Sequence, residues 1–168
     1  MFLLPFKASY FAKILNQRPQ AEAALKGSGK YPKLMGNVTF YRTTYGVLVC
    51  ASISGLPKNR EDPCKRGVFG FHIHEGTACA GNETDPFADA KSHYNPTECP
   101  HPAHAGDLPP LFENNGYAYN VFLTNRFTVE DVIGRAVIIH SMPDDFTTQP
   151  AGNSGEKIGC GIIRGLSR

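Results

Sequence analysis

Val68-Phe69-Gly70-Phe71-His72-Ile73-His74 alternates like a β-strand and stops at Glu75-Gly76. On a strand, residues i and i+2 share a face and lie roughly 6.5–7 Å apart. His72 and His74 therefore project to one side, while Ile73 turns to the opposite, buried side. Two imidazoles so placed can converge on one metal ion; two plain surface histidines would give the same pattern. Similar runs lie on either side: Val38-Thr39-Phe40-Tyr41, Val47 to Ile53, Tyr117 to Leu123, Arg135 to His140 and Lys157 to Arg164. They are short, rich in β-branched and aromatic residues, and separated by Gly, Pro, Asn and Asp. That pattern predicts an all-β sandwich or barrel.

The chain has 168 residues, enough for one domain with a real core. Hydrophobic residues make up 41% and charged residues 19%, which excludes a disordered chain. Gly 17 and Pro 13 predict many turns and few long helices. A net charge of +2 with no Lys/Arg run argues against a nucleic-acid partner. No apolar run is long enough to span a membrane. Met1-Phe2-Leu3-Leu4-Pro5-Phe6-Lys7 is too short for a signal-peptide core. The first 35 residues read as an N-terminal extension, with short helical turns between Ala8 and Lys26 interrupted at Arg18-Pro19 and a linker at Gly27-Ser28-Gly29. Residues 36–168 form the main domain. Thr128-Val129-Glu130-Asp131 reads as one capped turn between strands. Cys50, inside an apolar run, reads as a buried small hydrophobe.

Two stretches resist strand assignment, Thr77 to Phe112 and Met142 to Glu156. Loops this long on a rigid sheet usually carry function or are disordered. The six histidines, 72, 74, 93, 101, 104 and 140, all fall within or beside these stretches and the strands that enter them. His93, His101, His104 and Asp107 offer three imidazoles and a carboxylate, a donor set that suits four-coordinate zinc. A polar loop that happens to be His-rich is the plain alternative. His140 ends the apolar run Val137-Ile138-Ile139; with His72, His74 and a shared His93 it would complete four nitrogens, which suits Cu(II).

Gly70-Phe71-His72-Ile73-His74-Glu75, Cys79, His93-Tyr94-Asn95-Pro96, His104-Ala105-Gly106-Asp107-Leu108-Pro109, His140 followed by Asp144-Asp145, and Gly152-Asn153-Ser154-Gly155 before Cys160-Gly161-Ile162-Ile163 occur in that order. Together they resemble the copper/zinc superoxide dismutase family over roughly Gly36 to Arg164, and the closeness of Cys79 to His74 resembles its bacterial branch. The resemblance implies an eight-stranded Greek-key β-barrel with long metal-binding and electrostatic loops. It implies superoxide as substrate, copper on His72, His74, His93 and His140, and zinc on His93, His101, His104 and Asp107. His93 would bridge the metals and shuttle a proton, Asp144 would link ligands of the two metals by hydrogen bonds, and Cys79 would pair with Cys160. Where the family has an anion-guiding arginine, three residues before the last Cys, this chain has Lys157. Lys keeps the charge and loses the planar fork. Steering is therefore expected to survive better than docking; the short His101–His104 spacing implies a trimmed zinc loop, and the short His140–Cys160 stretch a reduced charged loop, with lower activity and a weaker ionic-strength dependence expected.

The alternative is a metal-binding domain of the same fold without turnover, which would need the loss of copper ligands. A zinc hydrolase would need a motif such as His-Glu-x-x-His, which is absent. A second disulfide between Cys64 and Cys99 is expected to anchor the metal loop. A disulfide favours an oxidising place, whereas the lack of a visible export signal points to the cytoplasm. Dimer surfaces vary between branches of the family, so a homodimer is an expectation without named contacts.

Overall fold

The computed structural model describes residues 8–58 and 67–167. Helix α1 (Ala8–Leu15) buries no residue and lies on the surface as a strap. Ten strands follow: β1 (Ala21–Gly27), β2 (Met35–Thr43), β3 (Gly46–Ser54), β4 (Val68–Phe69), β5 (Phe71–His74), β6 (Leu111–Phe112), β7 (Tyr117–Thr124), β8 (Ala136–His140), β9 (Lys157–Ile162) and β10 (Arg164–Gly165). A one-turn helix, α2 (Val129–Val132), precedes β8. Its capping box is formed by Thr128 and Asp131, whose side chains each accept the other's backbone N–H.

Eight strands make one antiparallel sheet in the order β5-β8-β9-β1-β2-β3-β7, with β10 also on β1. The chain crosses from β3 to β5 at the far edge, returns to β7 beside β3, and crosses again to β8 beside β5. These crossings agree with the all-β Greek-key expectation. β4 and β6 form a separate ribbon. Each leads into one of the edge strands, β5 and β7, so the ribbon curls the sheet toward closure.

β1 corrects the sequence reading, which placed this segment in an extension with helical turns. Ala, Glu, Leu and Lys favour helix, but Ala21, Ala23 and Leu25 are buried at period two while β1 bridges β2 and β9. Pairing on both sides outweighs propensity. The sheet thus begins before Gly36.

The main core joins Phe40, Phe71, Ile73, Leu111, Ile139 and Ile158 inside the curled sheet. A second cluster lies on its outer face: Ala136, Ile138 and Cys160 pack against Phe87 and Ala90 of the loop after β5. β8 is therefore buried on both faces, with Val137 and Ile139 inward and Ala136 and Ile138 outward. Register pairs His72 with Ile138 and His74 with Ala136, so these histidines share the outer face. Cys79–Cys160 ties the covering loop to β9. Cys64 lies outside the described residues. Cys99 carries a free thiol, within hydrogen-bond reach of Thr97 Oγ1, in place of the expected second disulfide. Cys50 is half-buried, not buried, and bonds Tyr119, pushing that phenol up to about 12.

Candidate metal centre

Short backbone bridges set the loop against β5. Tyr94 N–H donates to Ile73 O (2.8 Å), Ile73 N–H to Gly106 O (2.9 Å) and Gly106 N–H to Tyr94 O (2.8 Å). They place His93 opposite His74 and Asp107 opposite His72. A Cβ on Gly106 would stand 2.1 Å from Ile73 O, so only glycine permits this approach.

All six histidines, Asp107 and Asp144 are buried. Two groups form. His72, His74, His93 and His140 each offer a ligand atom within 4.8 Å of the others, and so do His93, His101, His104 and Asp107. His93 belongs to both. The structure thus brings together every histidine singled out from the sequence, and Asp107 with them.

Hydrogen bonds occupy one nitrogen of most rings and leave the other aimed inward. Asp144 joins His72 Nε2 (2.7 Å) and His101 Nε2 (2.9 Å), one ring from each group. His74 Nδ1 donates to Lys91 O (2.8 Å), His140 Nδ1 to Gly155 O (3.3 Å), and His93 Nδ1 meets Asp107 Oδ1 (2.8 Å). His72 Nδ1, His93 Nε2, His101 Nδ1 and His104 Nδ1 are buried without a hydrogen-bond partner. Buried polar atoms are rarely left so. In His72, His93 and His101 the opposite nitrogen is held by a carboxylate, and His101 Nδ1 and His104 Nδ1 converge on the Asp107 oxygens at 3.1 and 3.3 Å without forming a hydrogen bond. Inward-facing imidazole nitrogens gathered on a carboxylate are the pattern of metal ligands, so these residues fit two cations.

The electrostatics agree. Burial lowers His72 and His104, drives His74 well below its ordinary value, and pushes His140 down to about 3 with help from the facing His72. Burial works to raise Asp107 and Asp144, but hydrogen bonds from His93 to the first, and from His72, the Phe146 N–H and His101 to the second, win and lower both. His72 with Asp144 is thus a neutral imidazole on a carboxylate. The lowered imidazoles are neutral and the carboxylates charged, the state that binds a cation without first losing protons.

Several contributors left no mark in the sequence pattern. Gln149 clamps His101 at both backbone groups (2.9 and 2.7 Å). Arg126 Nη1 reaches the carbonyls of Pro102, His104 and Asp107 (2.9, 3.1 and 3.3 Å). Their partners lie 19 to 48 residues away and are backbone atoms, so no local spacing signals them.

Lys157 lines a cavity of about 530 Å³ that His140 also lines. It is not a free cation: its Nζ donates to Asp85 Oδ2 at 2.6 Å. A larger groove of about 740 Å³ lies over β1 and β2, away from the histidines, and brings together no His, Cys or acidic side chain.

The family description "Copper/zinc superoxide dismutase (SODC)" matches residues 34–163. The Superoxide dismutase [Cu-Zn] 2 of Aquifex aeolicus is 33% identical over 147 residues, 79% of this chain and 80% of that protein. Those of Deinococcus radiodurans and Legionella pneumophila are 34% and 35% identical, covering 80% and 84% of this chain and 80% and 85% of their own lengths.

Proposed function

The chain belongs to the copper/zinc superoxide dismutase family, and from that premise we propose how its own residues carry the reaction. It is an oxidoreductase that converts superoxide to molecular oxygen and hydrogen peroxide, with copper and zinc as cofactors. One observation carries the assignment of residues: two ligand groups share His93. Copper would be held by His72, His74, His93 and His140, and zinc by His93, His101, His104 and Asp107. Bound copper supplies a one-electron acceptor and donor, and bound zinc a second, redox-silent charge.

The remaining steps belong to the protein. Asp144 holds a proton on Nε2 of His72 and of His101, which leaves their Nδ1 atoms free as ligands. Lys91 O and Gly155 O do the same for His74 and His140 through Nδ1, leaving both Nε2 atoms 3.2 Å apart and facing each other. His93 Nε2, buried and unbonded, takes up a proton in one half-cycle and gives it to the departing peroxide in the next. Lys157 is the anion-attracting group on the wall of the cavity beside His140, with its charge shared with Asp85. A binding domain without turnover is not favoured, since all four copper-ligand candidates converge. Assembly as a homodimer is proposed on the family alone, and a monomeric mass by light scattering would overturn it.

The test is superoxide decay by pulse radiolysis on protein with copper and zinc counted per chain. Fast decay at one copper and one zinc, abolished by removing copper, is expected. Full occupancy with no decay above a free-copper control would overturn the assignment.

A further inference from the structure

The cavity beside His140 is walled by Lys30 and Lys157 and by Glu83, Asp85 and Glu156. Two cations against three carboxylates leave these wall side chains with a formal negative charge, so they add no net attraction for an anion to that of a bound cation. Each lysine is paired. Lys30 Nζ meets Glu156 at 2.9 Å with side chains 66% and 61% exposed, so water and salt screen that contact. Lys157 is only 15% exposed and Asp85 38%, at 2.6 Å, so this pair keeps more of its attraction.

Asp85 is also fixed. Its Oδ1 accepts the Phe87 N–H (3.1 Å), its carbonyl accepts those of Asn82 (3.0 Å) and Ala88 (3.1 Å), and its own N–H donates to Asn82 Oδ1 (2.9 Å). The Cys79–Cys160 disulfide anchors this turn to β9, whose first residue is Lys157.

We propose that Asp85 is a restraint on Lys157: it pins the ammonium at the cavity wall and cancels most of its charge toward an incoming anion. Asp85 is a positioning residue, and its effect passes through another side chain. The inference rests on Lys157 being the anion-attracting group.

The first test needs no variant. With the pair intact, the superoxide decay rate of the copper- and zinc-loaded protein is flat or rises with ionic strength; a steep fall would overturn the proposal. The second uses Asp85→Asn, which keeps an oxygen acceptor for the Phe87 N–H, with Asp85→Ser in reserve should the amide variant misfold. The probe is azide, a small anion, titrated optically on the loaded protein. Asp85→Asn should tighten azide binding and speed low-salt decay by roughly 3–10-fold, a gain that shrinks in high salt. It should also raise acetylation of the Lys157 amine, read by peptide mass mapping on metal-free protein.

Lys157→Gln separates the readings. It should weaken azide binding, and in that background Asp85→Asn should gain less than about 2-fold, because only a diffuse field then remains. Equal gains with and without Lys157 would overturn the restraint. If Lys157→Gln weakens binding while Asp85→Asn changes nothing, the restraint alone falls. If Lys157→Gln changes neither affinity nor rate, the role of Lys157 and the restraint fall together.

Discussion

Asp144 shows how much one side chain can set. Its two oxygens take one imidazole from each ligand group, so a single carboxylate fixes the tautomers of His72 and His101. Gly152 stands beside it at φ +66, and a Cβ there would lie 2.0 Å from Asp144 Oδ1, so the bridge also requires that glycine. Asp144→Asn offers one oxygen and one N–H₂ in place of two oxygens. One histidine then loses its acceptor and turns its proton toward the ligand position. Affinity for copper, zinc or both should drop about 10–100-fold in a competition titration, and unchanged affinities would count against the bridge. The residues of this centre were legible because histidine is scarce and its spacing fell on the ends of two strands and in one loop stretch. Arg126 and Gln149 were not, because they act on carbonyl and amide groups that every residue carries. The metal-free protein should show the burial of these rings. The folded-state values of His72, His74 and His140 are lowered, to about 3 for His140, from an ordinary 6.5. Between those limits the unfolded chain binds more protons, so stability falls as pH falls, by up to about 1.4 kcal/mol per pH unit for each ring. Denaturant midpoints of chelator-stripped protein at pH 7.5, 6.5 and 5.5 should decline in that order; a flat series would contradict it.

At the scale of elements, β8 matters most, because it is apolar on both faces. Its inward side chains fill the barrel core and its outward ones seat the loop that carries His93. Ile138→Ala should cost about 2–4 kcal/mol in denaturant unfolding, since the site is fully buried, and it should also loosen the loop over the centre. A loss below about 1 kcal/mol would mean that the outer cluster adds little. A continuous apolar run ending in His140 made β8 readable in the sequence. β1 was misread for the opposite reason: its alanines and lysine favour helix, and only the alternation of Ala21, Ala23 and Leu25 against Glu22 and Lys26 signals a strand. The ribbon strand β6, two residues long, falls below any pattern a sequence can show.

For the whole molecule, the disulfide closes a loop of 81 residues that contains every metal-ligand candidate except His72 and His74. Chain entropy alone gives such a cross-link up to about 4–5 kcal/mol. Replacing both Cys79 and Cys160 by Ser should lower unfolding free energy by up to that amount, with a larger fractional loss of zinc retention on dialysis than of β-sheet signal. Equal losses would show that loop and sheet unfold as one unit. The same topology governs how the protein is made. β9 lies between β8 and β1, yet it is synthesised after both. While the ribosome is still adding residues beyond His140, the strand that joins the two halves of the sheet does not yet exist. The meander of β1, β2 and β3 can form early, but the histidine-bearing edge must wait for Lys157–Ile162 to close the gap. Closure of the sheet and locking of the loop are therefore one late event: the cysteine that locks the loop arrives on the strand that completes the sheet.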